Sequence, residues 1–276
     1  MQIWPAPAKL NLFLRITGRR ADGYHTLQTV FQFLDYGDEL EFAVTDDGQI
    51  TRVSPLAGVP EDKDLTVRAA RLLQKTAAVR HGVRIHLVKR IPAGGGLGGG
   101  SSDAATTLLA LNELWGVHLP LAELARLGLA LGADVPVFIH GQAAWGEGIG
   151  EVLTPVEPEE AWYLVLVPPV HVSTAQVFAS PELTGYSPPL TIRDFHEGRG
   201  LRNDLEAAVR SRYPEVDRAM RWLSEYGEPR MSGSGACVFL KVANADRGRQ
   251  ILERIPKPFT GFVARGMNRH PLYMMR

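Results

Sequence analysis

Six of the seven residues from Gly94 to Gly100 are glycine, inside the run Pro92-Ala93-Gly94-Gly95-Gly96-Leu97-Gly98-Gly99-Gly100-Ser101-Ser102-Asp103. Glycine loses more conformational freedom on folding than any other residue, so such a run belongs where positive φ angles or close approach to the main chain are needed. Upstream, Val83 to Val88 alternates apolar and polar residues like a strand; downstream, Ala104, Leu108, Leu111 and Trp115 recur at helical spacing. The loop therefore joins a strand to a helix that Ser101 or Ser102 is expected to cap, with Gly116 at its end. Unpaired amides and the positive end of the helix dipole would face the glycines, an arrangement suited to phosphate. A Walker A loop needs Lys-Ser or Lys-Thr after its last glycine, and Gly99 is followed instead by Gly100 and Ser101. The dinucleotide pattern Gly94-x-Gly96-x-x-Gly99 matches in form, but the acidic residue due about 20 positions on is only Glu113, inside the helix.

Four further groups of residues could do chemistry. Lys9, Asn11, Phe13 and Arg15 are expected on one face of an alternating strand opposite Leu10, Leu12 and Leu14, so an ammonium and an amide project together. That face is either simply solvated or places Lys9 beside a reacting oxygen. Asp22-Gly23 signals a turn and is followed by Tyr24 and His25, a ring that can stack on a flat ligand and an imidazole that can bond its edge, or ordinary surface packing. Asp134, flanked by apolar residues after Gly132, either caps the turn that Pro136 starts or accepts a proton as a catalytic base. Met231-Ser-Gly233-Ser-Gly235 is a second glycine-serine loop, suited to a tight turn, to a phosphate or to close approach to the first loop.

Positioning such groups takes a sizeable scaffold, and 276 residues with 45% hydrophobic content suffice for one large or two medium domains. Thirty basic and thirty acidic residues cancel, so nothing points to nucleic acid or an anionic membrane surface as partner. The lone Cys237 excludes an internal disulfide, and with no leader or long apolar span the expectation is a cytoplasmic protein. Strands are expected near 2–16, 28–45 and 83–90, with helices near 64–79, 102–115 and 121–131. Beyond the proline- and acid-rich stretch 155–160, strands are expected near 162–167, 236–242 and 260–265. Helices there are expected near 174–179, 202–211, 214–226 and 245–254, which makes an α+β protein.

Ala8-Lys9-Leu10-Asn11-Leu12, Gly18 to His25, Gly94 to Ala105, Gly132 to Phe138, Gly146-Glu147-Gly148, Asn203-Asp204-Leu205-Glu206 and Ser232 to Gly235, in that order, resemble the GHMP small-molecule kinases. The resemblance is strongest to the branch acting on a cytidine diphosphate-linked methylerythritol. It implies a two-domain GHMP kinase fold, with a ribosomal-S5-like domain over 1–156 and a ferredoxin-like domain over 157–276. It implies ATP and Mg2+ as cofactors, a small-molecule alcohol as substrate, and a monomer or weak homodimer. Asp134 then stands at the general-base position and Lys9 at the position that polarises the hydroxyl. Tyr24 and Phe178 match positions that sandwich cytosine, His25 the residue that reads its edge, and Asn11, Ile149 and Thr174 the substrate side. Pro92 to Asp103 bind the ATP phosphates, and Lys89, Asp103 and Asp64 fall where adenosine is handled. Ser101, Ser102 and Asp103 are all open as metal ligands. Two positions depart from the family pattern: Asp64 replaces an asparagine and Trp145 a smaller aromatic. A homoserine- or mevalonate-type kinase, or a non-catalytic nucleotide sensor, would keep the glycine loops without needing Tyr24, His25 and Phe178, or the Lys9 and Asp134 pair, respectively.

Overall fold

A hairpin of two long strands, β1 (Trp4–Arg19) and β2 (His25–Thr45), turns at Asp22-Gly23, where Gly23 adopts φ +89° and Asp22 Oδ1 accepts the Tyr24 amide at 3.2 Å. The computed structural model describes residues 2–274 except 57, 181, 182 and 184. After β2 come β3 (Ile50–Arg52), α1 (Leu65–Thr76), β4 (Gly82–Val88), α2 (Gly99–Leu114), α3 (Leu121–Leu129), α4 (Val135–His140), β5 (Ala144–Glu147) and β6 (Val152–Pro155). The second half runs β7 (Trp162–Val167), α5 (Thr174–Phe178), α6 (Ile192–His196), α7 (Glu206–Arg212), α8 (Pro214–Ser224), β8 (Arg230–Met231), β9 (Val238–Val242), α9 (Ala245–Leu252) and β10 (Thr260–Met267).

One mixed sheet in the order β3-β4-β2-β10-β7-β9-β8 runs through both halves. β10 joins them: Thr260 to Arg265 pair with β7, and Gly266 and Met267 pair with Leu34 and Phe33 of β2. Core residues Phe33, Val67, Leu73, Ile85, Leu108 and Phe138 fill the first half, and Leu164, Val216, Leu223, Leu240 and Ile251 the second. A third cluster, including Leu10, Phe13, Trp145, Tyr163 and Phe239, packs at the junction. Full burial of each such leucine is worth roughly 1.5–3 kcal/mol. α2 is buried continuously from Ser102 to Leu111, which explains its run of small and apolar residues.

The expected face of β1 does not hold. A register shift between Asn11 and Leu14 inserts a bulge, so Lys9, Asn11 and Leu14 face the cleft described below. Phe13 instead packs against Trp145 at 5.3 Å and Phe195 at 6.1 Å. Arg15 turns toward the carbonyls of Pro188, at 2.7 Å, and Gly200.

Candidate active site

The helix behind the first glycine loop starts earlier than its serines suggest. Its N-cap is Gly98, left-handed at φ +72°, so Ser101 and Ser102 lie inside the first turn and neither caps it. Glycine alone takes that conformation cheaply, which closes the turn ahead of any serine. Ser102 donates its amide to Gly98 O at 2.8 Å, leaving the amides of Gly99, Gly100 and Ser101 ahead of the first intrahelical bond. Ser101 lines a cleft of about 670 Å³, while the Ser102 hydroxyl is buried without a hydrogen-bond partner among the described residues. Pro92 to Ser101 and Asp103 all line this cleft.

The second loop lies against the first. Ala236 and Cys237 donate their amides to Gly94 O and Gly95 O at 3.2 and 3.1 Å, and the Ser232 hydroxyl donates to Gly96 O at 3.0 Å. The same hydroxyl accepts the Asn11 amide at 3.2 Å, tying both loops to β1. Asn203, from the Asn203-Asp204-Leu205-Glu206 segment, donates to Met231 O at 2.8 Å and Gly233 O at 2.7 Å, and its Oδ1 accepts the Leu205 amide. Of the three uses open to this loop in the sequence, the structure displays approach to the first loop.

Lys9 is 2% exposed, and its Nζ stands 3.1 Å from Asp134 Oδ2 and 2.5 Å from Asn11 Oδ1, with the Phe31 ring 5.4 Å away. Asn11 is held in turn by Thr29, whose Oγ1 accepts its Nδ2 at 2.9 Å. Asp134 sits at the N-cap of α4 yet its side chain makes no capping bond; the carboxylate turns to Lys9 and the cleft. An ionised carboxylate beside a buried ammonium, at the edge of an amide-lined loop, can take a proton from a hydroxyl.

At one end of the cleft Lys89 Nζ bonds Asp103 Oδ2 at 2.8 Å and also Asp38, whose Oδ1 accepts the amides of Arg90 and Ile91. Burial, reinforced by Asp38 and opposed by the Lys89 ammonium, pushes the Asp103 carboxyl up to about 8. Burial draws the Lys89 ammonium down, but the two carboxylates more than offset it and hold it above its usual value. Asp64 lines the same end, with its carboxylate engaged by Arg52 and by the amide and hydroxyl of Thr66, both at 2.7 Å, so it caps α1. At the other end Ile149, Thr174 and Phe178 line the wall. Thr174 Oγ1 lies 2.7 Å from Ser234 Oγ, and His25 stacks on Phe178 with centroids 5.7 Å apart. Burial and the nearby Arg19 lower the His25 pKa, favouring neutral imidazole. Tyr24 is 63% exposed and neither it nor His25 is among the cleft-lining residues. Trp145 is buried behind the site, against Phe13.

Sequence reasoning did not single out Asp38 or Leu27, and it set Leu14 on the face opposite Lys9; all three are at the site or in contact with it. Asp38 carried no distinguishing signal, since Asp35, Glu39 and Glu41 lie in the same strand. Three lysines, Lys9, Lys63 and Lys89, and three aspartates, Asp64, Asp103 and Asp134, line the cleft, which has little surplus positive charge. Among the described residues no group of three or more His, Cys, Asp or Glu could hold a metal ion. No helix among them is long and apolar enough to cross a membrane.

The GHMP kinases N-terminal domain family matches residues 64–142 and the GHMP kinases C-terminal family residues 191–261. The chain is 58% identical over 272 residues to a 4-diphosphocytidyl-2-C-methyl-D-erythritol kinase of Thiobacillus denitrificans, covering 99% of this chain and 98% of that one. A crystal structure of a 4-(cytidine 5'-diphospho)-2C-methyl-D-erythritol kinase superposes with a TM-score of 0.84 at 34% identity, covering 96% of this chain and 99% of that one. A mevalonate kinase structure superposes with a TM-score of 0.71 at 17% identity, covering 97% of this chain and 100% of that one, a likeness of fold alone.

Proposed function

The chain belongs to the GHMP kinases and, within them, to the 4-diphosphocytidyl-2-C-methyl-D-erythritol kinases, and we propose that its cleft transfers the γ-phosphoryl group of ATP to the 2-hydroxyl of 4-diphosphocytidyl-2-C-methyl-D-erythritol. The observation that carries this is the Lys9–Asp134 pair, 3.1 Å apart, beside a loop backed by the N-terminus of α2. The substrate oxygen bonds to the γ-phosphorus as the bridge to the β-phosphate breaks, its proton passes to Asp134, and ADP leaves with the bonding electrons. Phosphoryl transfer is mostly positioning and charge stabilisation, so this small set of groups is sufficient.

Lys9 steadies the Asp134 carboxylate and the hydroxyl oxygen, and Asn11 fixes the ammonium. The free amides of Gly99, Gly100 and Ser101 receive phosphate oxygens, and Lys89, Asp103 and Asp64 form the adenosine end. Thr174 and Ile149 face the acceptor, with cytosine against Phe178 and the His25 edge; Tyr24 stands at the rim. Two polyphosphates entering a cleft without surplus positive charge call for Mg2+, which neutralises developing charge when bound. The protein offers it few ligands: Asp103 is held by Lys89 and the Ser102 hydroxyl is buried, which leaves the Ser101 hydroxyl and the Asp134 carboxylate at the cleft wall. That suits Mg2+, a cation that keeps several waters and leans on substrate phosphates. A cytoplasmic location fits the free, buried Cys237.

The test is ADP release from ATP and Mg2+ with the cytidylylated methylerythritol compared with homoserine, mevalonate and galactose. Turnover with the cytidine compound alone is expected. Turnover with another alcohol would overturn the acceptor, and binding of ATP without turnover would favour a sensor. Asp134→Asn is expected to cut kcat by about 10²–10⁴-fold with ATP affinity nearly unchanged; near-normal turnover removes Asp134 as base.

A further inference from the structure

α4, which carries Asp134 at its start, is only six residues long, too short to hold its own direction, so its orientation comes from what packs on it. Its body packs on α2 and α3, and its last turn is clamped by the far end of the chain. Beyond β10, residues 268–274 fold back across the sheet and wrap the end of α4, outside the spans matched by either family. Asn268 O accepts the Ala143 amide at 2.8 Å, His270 donates its amide to Gly141 O at 3.0 Å, and Asn268 Oδ1 accepts Gln32 Nε2 at 3.1 Å. The Tyr273 hydroxyl donates to Ile139 O in the last turn of α4. The Tyr273 ring covers Gly141, the left-handed C-cap at φ +70°, so closely that a Cβ there would lie 2.2 Å from it.

His270 completes the clamp from beneath. It is fully buried, its ring meeting Phe33 at 5.6 Å and Phe138 at 6.5 Å. Phe138 reaches the other way into the site: its Cζ and the Lys9 side chain both lie 3.0 Å from where a Cβ on Gly98 would stand. Tyr273 and His270 thus bear on α4, α4 through Phe138 bears on Gly98, and Lys9, also beside Gly98, holds Asp134 at the start of the same helix. Ile139 lies about 8 Å along the axis from Asp134 at 1.5 Å per residue, so a small tilt of the helix end moves the carboxylate.

We propose that this C-terminal strap, acting through Tyr273, is a positioning element that sets α4 and thereby the place of the Asp134 carboxylate over Lys9. The inference rests on the reading of Asp134 as the base. Misplacing a catalytic group by about 1 Å can cost on the order of 100-fold in rate, so the strap acts on kcat and leaves both KM values alone.

The experiment measures kcat, both KM values and thermal melting for Tyr273→Phe, Tyr273→Ala, Gly141→Ala, Asp134→Asn and the double variant Tyr273→Ala/Asp134→Asn, assayed well below the melting temperature. Tyr273→Phe, which keeps the ring and loses the bond to Ile139 O, is expected to lower kcat about threefold, and Tyr273→Ala and Gly141→Ala about 10- to 100-fold, with KM within about twofold. In the Asp134→Asn background Tyr273→Ala is expected to cost nothing further, because both act on one step. A kcat preserved in Tyr273→Ala with a lowered melting temperature, or a loss confined to KM, overturns the proposal. A full additional loss in the Asp134→Asn background overturns it while the base reading stands. Normal turnover in Asp134→Asn alone removes the base reading and the proposal with it.

Discussion

The two glycine-containing loops lie against each other and are held in different ways. In the loop from Gly94 to Gly100 the carbonyls of Gly94, Gly95 and Gly96 face the protein, while Gly99, Gly100 and Ser101, whose amides precede the first intrahelical bond, line the cleft. In the loop from Ser232 to Gly235 the groups turned inward are fastened to the first loop, to β1 and to Asn203. In the function proposed above the first receives ligand, and the second is largely its support. What separates them is the element that follows: α2 leaves three amides unpaired at its start, whereas the Ser232–Gly235 loop runs into β9, whose Val238 to Val242 pair with β7.

The contrast breaks hardest where the loops meet. A Cβ on Gly96 would lie 2.1 Å from Ser232 O and 3.1 Å from Gly235 O, at φ +73°. Gly96→Ala adds left-handed strain of about 1–2 kcal/mol to overpacking against backbone of about 1–3 kcal/mol. Expected are a large fall in urea midpoint and loss of turnover; a variant of normal stability would mean that the loops are not pressed together. Asn203→Asp comes next, because it keeps the shape but sets an acceptor against Met231 O and Gly233 O. Leaving those carbonyls opposed is worth about 1–3 kcal/mol of stability. If Thr174, which bonds Ser234, faces the acceptor as proposed, KM for the alcohol should rise more than KM for ATP. An equal rise in both would place the second loop in the nucleotide site.

How much of this could be read beforehand follows from how local each feature is. The strand-loop-helix around Gly94 to Gly100 depends on neighbours in sequence and was legible; Asp134 stood out as an isolated acid in an apolar run, and the structure brings it to Lys9 and the cleft without a capping bond. The bulge between Asn11 and Leu14 was not, because it arises in the pairing of β1 with β2 and inverts the side chains from Leu14 to Ile16, up to the next register shift. Nor was the choice of Gly98 over Ser101 as cap, since propensity favours serine and only the tertiary path of the loop imposes φ +72°. Short elements such as β3, β5, β6, α4 and α6 fall below the length at which periodicity speaks. The packing of residues 268–274 onto α4 is a long-range contact with no local signature.

A charged cluster stands behind the first loop: a Cβ on Gly99 would lie 3.2 Å from Lys89 Nζ, whose partner Asp103 holds its proton up to about 8 in the fold. An unfolded aspartate releases its proton near 3.9, at about that value. The stability due to neutral Asp103 is therefore complete below about pH 4 and is lost as pH rises toward 8. Urea melts at pH 5, 7 and 9 should show Asp103→Asn gaining on the parent protein with rising pH. Parallel curves would mean that Asp103 is ionised throughout as a partner of Lys89.

The smallest effect is expected at Gly100, and it sharpens the comparison most. Gly94, Gly96 and Gly98 have positive φ, a Cβ on Gly95 would meet Cys237 Sγ at 2.6 Å, and one on Gly99 would crowd Ile91 and Lys89. Gly100 has no such reason: its φ is ordinary for a helix, and an added Cβ meets only the flexible end of Leu65 at 3.1 Å. Alanine favours a helix over glycine by up to about 1 kcal/mol, so Gly100→Ala should melt at or slightly above the parent temperature. If the first loop receives phosphate, the new methyl stands where ligand belongs, and KM for ATP should rise a few-fold with KM for the alcohol unchanged. The alcohol KM rising in its place would put the acceptor, not the nucleotide, against the start of α2.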